Sequence, residues 1–265
     1  MFSLYMTKKS KRRLGRQGLN WPPAKNIASV RIDHENQRVV FTTNNMLINQ
    51  LRRDGPIIAK SFDKVASSHL DECSAIFGKS SGLIVRHLPN LDSDDFKPTA
   101  ARLLMSACHA YLASVEIARH GYRRQYGVMA RSFVETLATV IVLTIRPTAL
   151  SEFHAGKLSS SKCIGWAKAV IEPIGLYYGM LSDQFTHIGV GHAAFEPLIP
   201  FKDDDEELSF IGKSMRGNAW LLYVVTELVY HDEISVPRYW FAQGGDSVAY
   251  DPSEEERAWM NEFLV

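Results

Sequence analysis

Apolar positions along this chain follow two periods. From Ser29 to Thr43 apolar and polar residues alternate, with Val30 and Ile32 ahead of Asp33-His34-Glu35-Asn36-Gln37 and Val39-Val40-Phe41 after it. Alternation around a polar turn predicts a short β-hairpin. Beyond it nearly every segment has helical spacing. Asn45–Arg53 reads as a helix ended near Gly55-Pro56. Ile57–Phe77 reads as a second, carrying Ile58, Phe62, Val65, Leu70 and Ile76 before a break at Gly78–Gly82. Residues 83–97 read as loop. Thr99–His120 puts Leu104, Cys108, Tyr111, Leu112, Val115 and Ala118 on one side, and Gly121 is a natural C-terminal stop. The next helix, Tyr122–Ile145, is apolar nearly all round in its second half, which marks the central helix of a bundle.

Shorter helices are expected at residues 148–155, Ser159–Ile171 and Leu176–Thr186, and a long one at Leu208–His231. Pro252-Ser253-Glu254-Glu255-Glu256 opens a last helix, with its acids where they suit the dipole. Long helices joined by short links predict a mainly all-α chain, an antiparallel helical bundle with a small N-terminal β-hairpin. The organisation expected is a basic disordered arm at 1–26, an N-terminal segment of hairpin plus helices at 27–96, and a helical bundle domain at 97–265.

Charge changes this picture at one end. Residues 1–32 carry Lys8, Lys9, Lys11, Arg12, Arg13, Arg16, Lys25 and Arg31 and no acid, which leaves 22 basic against 29 acidic residues in the rest. A basic arm on an acidic body can track nucleic-acid phosphates, or it can dock on an acidic protein surface. The three cysteines, Cys73, Cys108 and Cys163, are far apart and odd in number. That opposes a disulfide framework and a structural zinc site, and fits a reducing compartment. The most apolar run, Thr136–Ile145, is half the roughly 20 residues a membrane span needs. In the first residues the apolar MFSLYM precedes the basic KKSKRR, the reverse of a secretory signal. A cytoplasmic protein with no membrane partner is expected.

Two polar constellations stand out. On the central helix Arg131 and Glu135, four residues apart, share a face inside an apolar run. Charges there are costly unless paired, so they are either a structural ion pair fixing helix register or part of a polar pocket. The segment Tyr177–His187 holds Ser182, Asp183 and His187. Asp183 and His187 are placed to meet as a carboxylate-oriented general base. Ser182 and His187 lie about 140° apart around a helix and cannot pair. No G-x-S-x-G and no phosphate-cradling G-x-x-x-x-G-K-[ST] occurs, so no cofactor is expected. His187, His192 and Glu196 match no standard metal spacing. The pairs Glu116/His120 and Glu227/His231 are one residue too long for a di-iron Glu-x-x-His. No metal is expected. The aromatics Trp220, Tyr223, Tyr230, Tyr239, Trp240 and Phe241 are interface or core.

The motifs R-S-x-x-E (Arg131, Ser132, Glu135) and Y-x-x-L-S-x-x-x-x-H (Tyr178, Leu181, Ser182, His187) resemble a family of uncharacterised bacterial helical proteins, some found with mobile elements or phage-defence genes. The resemblance spans about residues 97–232. That family is similar, more loosely, to the HEPN superfamily of helical bundles, often dimeric and including ribonuclease toxins. The resemblance implies a metal-independent ribonuclease effector in phage defence or a toxin–antitoxin system. In it Arg102-x6-His109 would stand for the Arg…His signature, Arg131, Glu135, Ser182 and His187 would be alternative catalytic groups, and the arm (Lys8, Lys9, Lys11, Arg12, Arg13, Arg16) would grip RNA. The competing expectations are a non-catalytic scaffold or partner-binding subunit, possible as a homodimer or in a larger complex, whose Arg/Glu/Ser/His cluster is structural, and a small-molecule-binding bundle.

Overall fold

The computed structural model describes residues 24–34, 38–88, 93–193, 198–203, 206–244 and 247–264. The protein is a helical bundle with two small antiparallel hairpins. Strands β1 (Ile27–Asp33) and β2 (Arg38–Thr43) pair with Val30 opposite Phe41 and a bulge between Ile27 and Ser29. This is the expected N-terminal hairpin; its turn, residues 35–37, lies outside the described residues. Most of the arm, residues 1–23, lies outside them as well.

Helix α1 (Met46–Asn49) runs through a π turn, Gln50–Asp54, into α2 (Gly55–Val65). The stop expected at Gly55-Pro56 is therefore a change of hydrogen-bond pattern. Pro56 has no N–H to give the preceding turn, and i→i+5 bonding, with Gly55 N–H on Gln50 C=O, absorbs the mismatch. A Cβ at residue 55 would stand 2.7 Å from that carbonyl oxygen, so only glycine fits.

Helix α3 (Ser67–Val85) begins after a kink at Ala66 and passes through Gly78 and Gly82, where a break was expected. Its buried Cys73, Ile76, Ser80 and Ile84 lie at helical spacing against the core. That burial outweighs a penalty of about 1 kcal/mol per helical glycine. Helices α4 (Phe96–Arg119) and α5 (Arg123–Ile145) form an antiparallel pair. Their turn is a Schellman motif: Gly121 has φ of 84°, its N–H donates to Ala118 C=O, and Tyr122 N–H donates to Ile117 C=O.

Helices α6 (Ala149–His154), α7 (Ser160–Ala167) and α8 (Pro173–Leu181) follow, and α8 ends in a π turn, Ser182–Thr186. Helix α9 (Glu206–Val229) packs on α3, α4 and α5. Helix α5 sits at the centre, in contact with α4, α7, α8 and α9. It is long and apolar enough to cross a membrane by length and composition, and half of its most apolar window is buried inside the protein. One core joins Ile58 and Phe62 on α2 to side chains of α3, α4, α5, α7, α8 and α9, on both sides of residue 96.

Strands β3 (Trp240–Gly244) and β4 (Ser247–Tyr250) form a hairpin not anticipated from the sequence, followed by α10 (Glu254–Phe263). A fully buried carboxylate holds its approach: Glu227 Oε1 accepts the backbone N–H groups of Arg238, Tyr239 and Trp240 at 2.9, 2.6 and 3.0 Å. Arg238 in turn pairs with Glu256 of α10, and Ser253 caps that helix by accepting Glu256 N–H. Trp220, Tyr223, Tyr230, Tyr239 and Trp240 are core, while Phe241 is the exposed member of that group.

Candidate functional site

The two constellations meet through α8. Adjacent residues on a helix point about 100° apart, so Tyr177 and Tyr178 reach different neighbours. Tyr178 reaches α5. Its hydroxyl accepts from Arg131 Nη2 at 2.8 Å and donates to Glu135 Oε1 at 3.1 Å. Arg131 and Glu135 are themselves 3.1 Å apart, as their i,i+4 spacing requires. The guanidinium also lies over the Tyr178 ring, 5.0 Å from its centroid. Three groups thus close a triangle, with the Arg131 and Glu135 side chains each about a quarter exposed. Burial works to lower the Arg131 pKa, but the Tyr178 hydroxyl and Glu135 more than offset it, and the net shift is upward. Its Nε is buried without an acceptor. Arg131 is a fixed cation whose Nη2 donates within the triangle.

Tyr177 reaches α9. Its hydroxyl and that of Tyr126 on α5 both bond Ser214 Oγ, the latter at 2.7 Å. The buried Asn218 lies beside both phenols. Burial pushes Tyr177 up to about 12 and Tyr126 well above the usual tyrosine range, so both stay protonated hydrogen-bond partners at neutral pH. This second network, invisible to pair spacing within one helix, ties α5, α8 and α9 together.

The remaining candidates are not brought to this place. Ser182 is buried and its hydroxyl donates to Tyr178 C=O at 2.8 Å, one turn back on its own helix. The Asp183–His187 pair expected from i,i+4 spacing does not form. Residues Ser182–Thr186 are π-helical, His187 N–H bonds Ser182 C=O five residues back, and His187 itself turns extended with ψ of 122°. A wider turn moves residue i+4 off the shared face. Both Asp183 and His187 are exposed. The π turn has a cause in Gly127 of α5: a Cβ there would lie 2.2 Å from Phe185 Cγ, so the bare glycine admits the Phe185 ring, which stacks on Phe210.

Arg102 donates to Ser93 C=O at 2.9 Å and to Thr99 Oγ1 at 3.1 Å, holding the segment that leads into α4. His109, two turns on, is exposed. About 10 Å of helix rise separates them. The arm residues Lys8, Lys9, Lys11, Arg12, Arg13 and Arg16 lie outside the described residues, as does Glu196.

His192 lies near the Gly189 N–H and Phe185 C=O. Glu116 is shared between His120 and Arg119, Glu227 accepts from the backbone leading into β3, and His231 Nδ1 meets Leu228 C=O. Among the described residues no group of three or more His, Cys, Asp or Glu side chains is placed to hold a metal. The three cysteines are free and buried, with Cys73 and Cys108 pushed up to about 11 by burial, so they are thiols rather than thiolates at neutral pH. Compared with family models, curated proteins and solved structures, the chain matches none.

Proposed function

We propose that this protein is a non-catalytic helical scaffold that associates with a second copy of itself through its N-terminal hairpin and α1. Arg131, Glu135 and Tyr178 then act as a lock between α5 and α8. The observation that carries the reading is the apolar face left uncovered at the N-terminal end. Val30 and Ile32 on β1 are 58% and 60% exposed, and Leu47 on α1 and Leu51 in the π turn after it are 72% and 62% exposed, with Met46 and Ile48 beside them. A two-stranded hairpin alone is marginal in water and its edges invite pairing.

A second copy fits chemically. The basic arm, eight cations without an acid in residues 1–32, is complemented by the acidic remainder of the same chain, with Asp203 to Glu207 in one run. Such self-complementarity suits an isologous two-fold contact. Against catalysis, the Arg131 Nη2 and Tyr178 groups are engaged with each other and Glu135, the Ser182 hydroxyl is held by backbone, and His187 and His109 are exposed side chains outside these bonds.

Light scattering on the full chain is expected to give a dimer that weakens with added salt, and a monomer for the Leu47→Asp/Leu51→Asp variant. A wild-type monomer at every concentration would refute the reading. The same preparation tested on total RNA, tRNA and single-stranded DNA is expected to leave them intact. Cleavage lost in His109→Ala or His187→Ala would replace the scaffold by the ribonuclease.

A further inference from the structure

Strands β1 and β2 pack chiefly on each other, and the sheet they form has no third strand. The outer edge of β1 therefore lacks a strand partner among the described residues. Such an edge presents unpaired N–H and C=O groups and templates pairing with another chain, which proteins prevent with proline, lysine or bulges. β1 carries neither proline nor lysine, and its one irregularity lies at its start, between Ile27 and Ser29. From Ser29 to Asp33 its register is regular, and residues 28–32 are all exposed.

The order of residues on this strand is self-complementary. Side chains alternate between faces, so a two-fold axis through the sheet must pass at a residue to keep facing side chains on one side. An axis at Ile32 sets Ile32 opposite the second copy's Ile32, and Arg31 opposite Asp33 on both sides of it. An axis at Arg31 sets two arginines against each other, and one at Val30 sets Arg31 opposite Ser29. Opposite charges at facing positions stabilise a strand pair, and like charges destabilise it. Arg31 is exposed and has no ion-pair partner among the described residues.

We infer that two copies meet by antiparallel pairing of β1 with β1 about Ile32, joining two hairpins into one four-stranded sheet. The inference rests on the self-association proposed above and supplies its geometry. Symmetry forms both Arg31–Asp33 pairs at once. It also sets Val30 and Ile32 of both copies on one face of the joined sheet, and main-chain hydrogen bonds across the edge supply the affinity.

The test is charge exchange on the full chain, read by light scattering across a concentration series. Arg31→Glu alone, or Asp33→Arg alone, turns two attractive pairs into two repulsive ones and should raise the dimer Kd about tenfold to a hundredfold. Mixing the two variants in equal amounts should restore the dimer as a heterodimer, because every facing pair is then of opposite sign. So should the double variant Arg31→Glu/Asp33→Arg. Cross-linking reads the axis directly. The native cysteines Cys73, Cys108 and Cys163 are buried, and facing positions stand about 4.5–5.5 Å apart. Ile32→Cys should therefore give a disulfide-linked dimer on mild oxidation. Ser29→Cys, with its two copies about 20 Å apart, should not. A wild-type dimer that neither charge reversal weakens, or one that Ser29→Cys links and Ile32→Cys does not, would overturn this pairing and leave self-association standing. A wild-type monomer at every concentration would overturn both.

Discussion

Tyr178→Phe removes one oxygen and leaves the ring. In the native protein that oxygen accepts from Arg131 and donates to Glu135. A hydrogen bond to a charged group contributes about 1.5–3 kcal/mol when shielded. The charged side chains here are 22% and 27% exposed and keep their direct ion pair at 3.1 Å in the variant. Water can also replace part of what is lost, so the expected destabilisation is about 1–2 kcal/mol. Cation–π packing of Arg131 on the ring is retained by phenylalanine, which isolates the hydroxyl. Urea unfolding should show a lower midpoint with an unchanged slope. A double-mutant cycle with Glu135→Gln should give a coupling of about 0.5–1.5 kcal/mol, because the two groups share one network. Stability within about 0.3 kcal/mol of wild type, or additive single effects, would show that the triangle does not lock α8 to α5.

Three further outcomes test the rest of the fold. Glu227→Ala strands three buried backbone donors and should cost about 3–5 kcal/mol by chemical unfolding, while Glu227→Gln, which keeps an acceptor, should cost about half as much; a neutral alanine variant would show that the β3 approach is held otherwise. Gly127→Ala should displace Phe185 and lower stability by about 1–3 kcal/mol, with changed chemical shifts across 182–187. The pH dependence has a definite sign. Hydrogen bonding and attraction from Arg119 hold the Asp63 carboxyl below the usual aspartate range, and Lys97 does the same to Asp232. A depressed carboxyl stabilises the fold above its unfolded value and loses that contribution as pH falls through the folded one. Stability should therefore drop below about pH 4, and Arg119→Met, which removes the cation facing Asp63, should flatten that drop; an unchanged acid limb would contradict the assignment.

Helix periodicity was legible because burial in this bundle is one-sided or, for α5, nearly complete. Leu104, Cys108, Tyr111 and Ala118 recur on the face that α4 buries, and Val140 to Leu143 are all enclosed. The Arg131–Glu135 pair could be read from spacing alone. Tyr178 joined it only through tertiary packing of α8 on α5. Local signals misled where an unusual turn intervened. Gly55-Pro56 looked like a stop because π bonding cannot be read from residue type, and the same kind of turn at 182–186 dissolved the Asp183–His187 pair. The β3–β4 hairpin carries a turn signal in Gly244-Gly245-Asp246, but aromatic residues around it suit core and interface equally. The Tyr126–Tyr177–Ser214 network and the Glu227 cradle draw on residues 11 to 88 positions apart. No local pattern encodes them.

The most direct measurement is hydrogen exchange of the full chain at a low and a high protein concentration. A scaffold that pairs through its N-terminal face predicts slower exchange at high concentration for amides of residues 27–51, with α5 and α9 unchanged. Identical exchange of that segment at both concentrations would contradict self-association as the role of the exposed hairpin and α1.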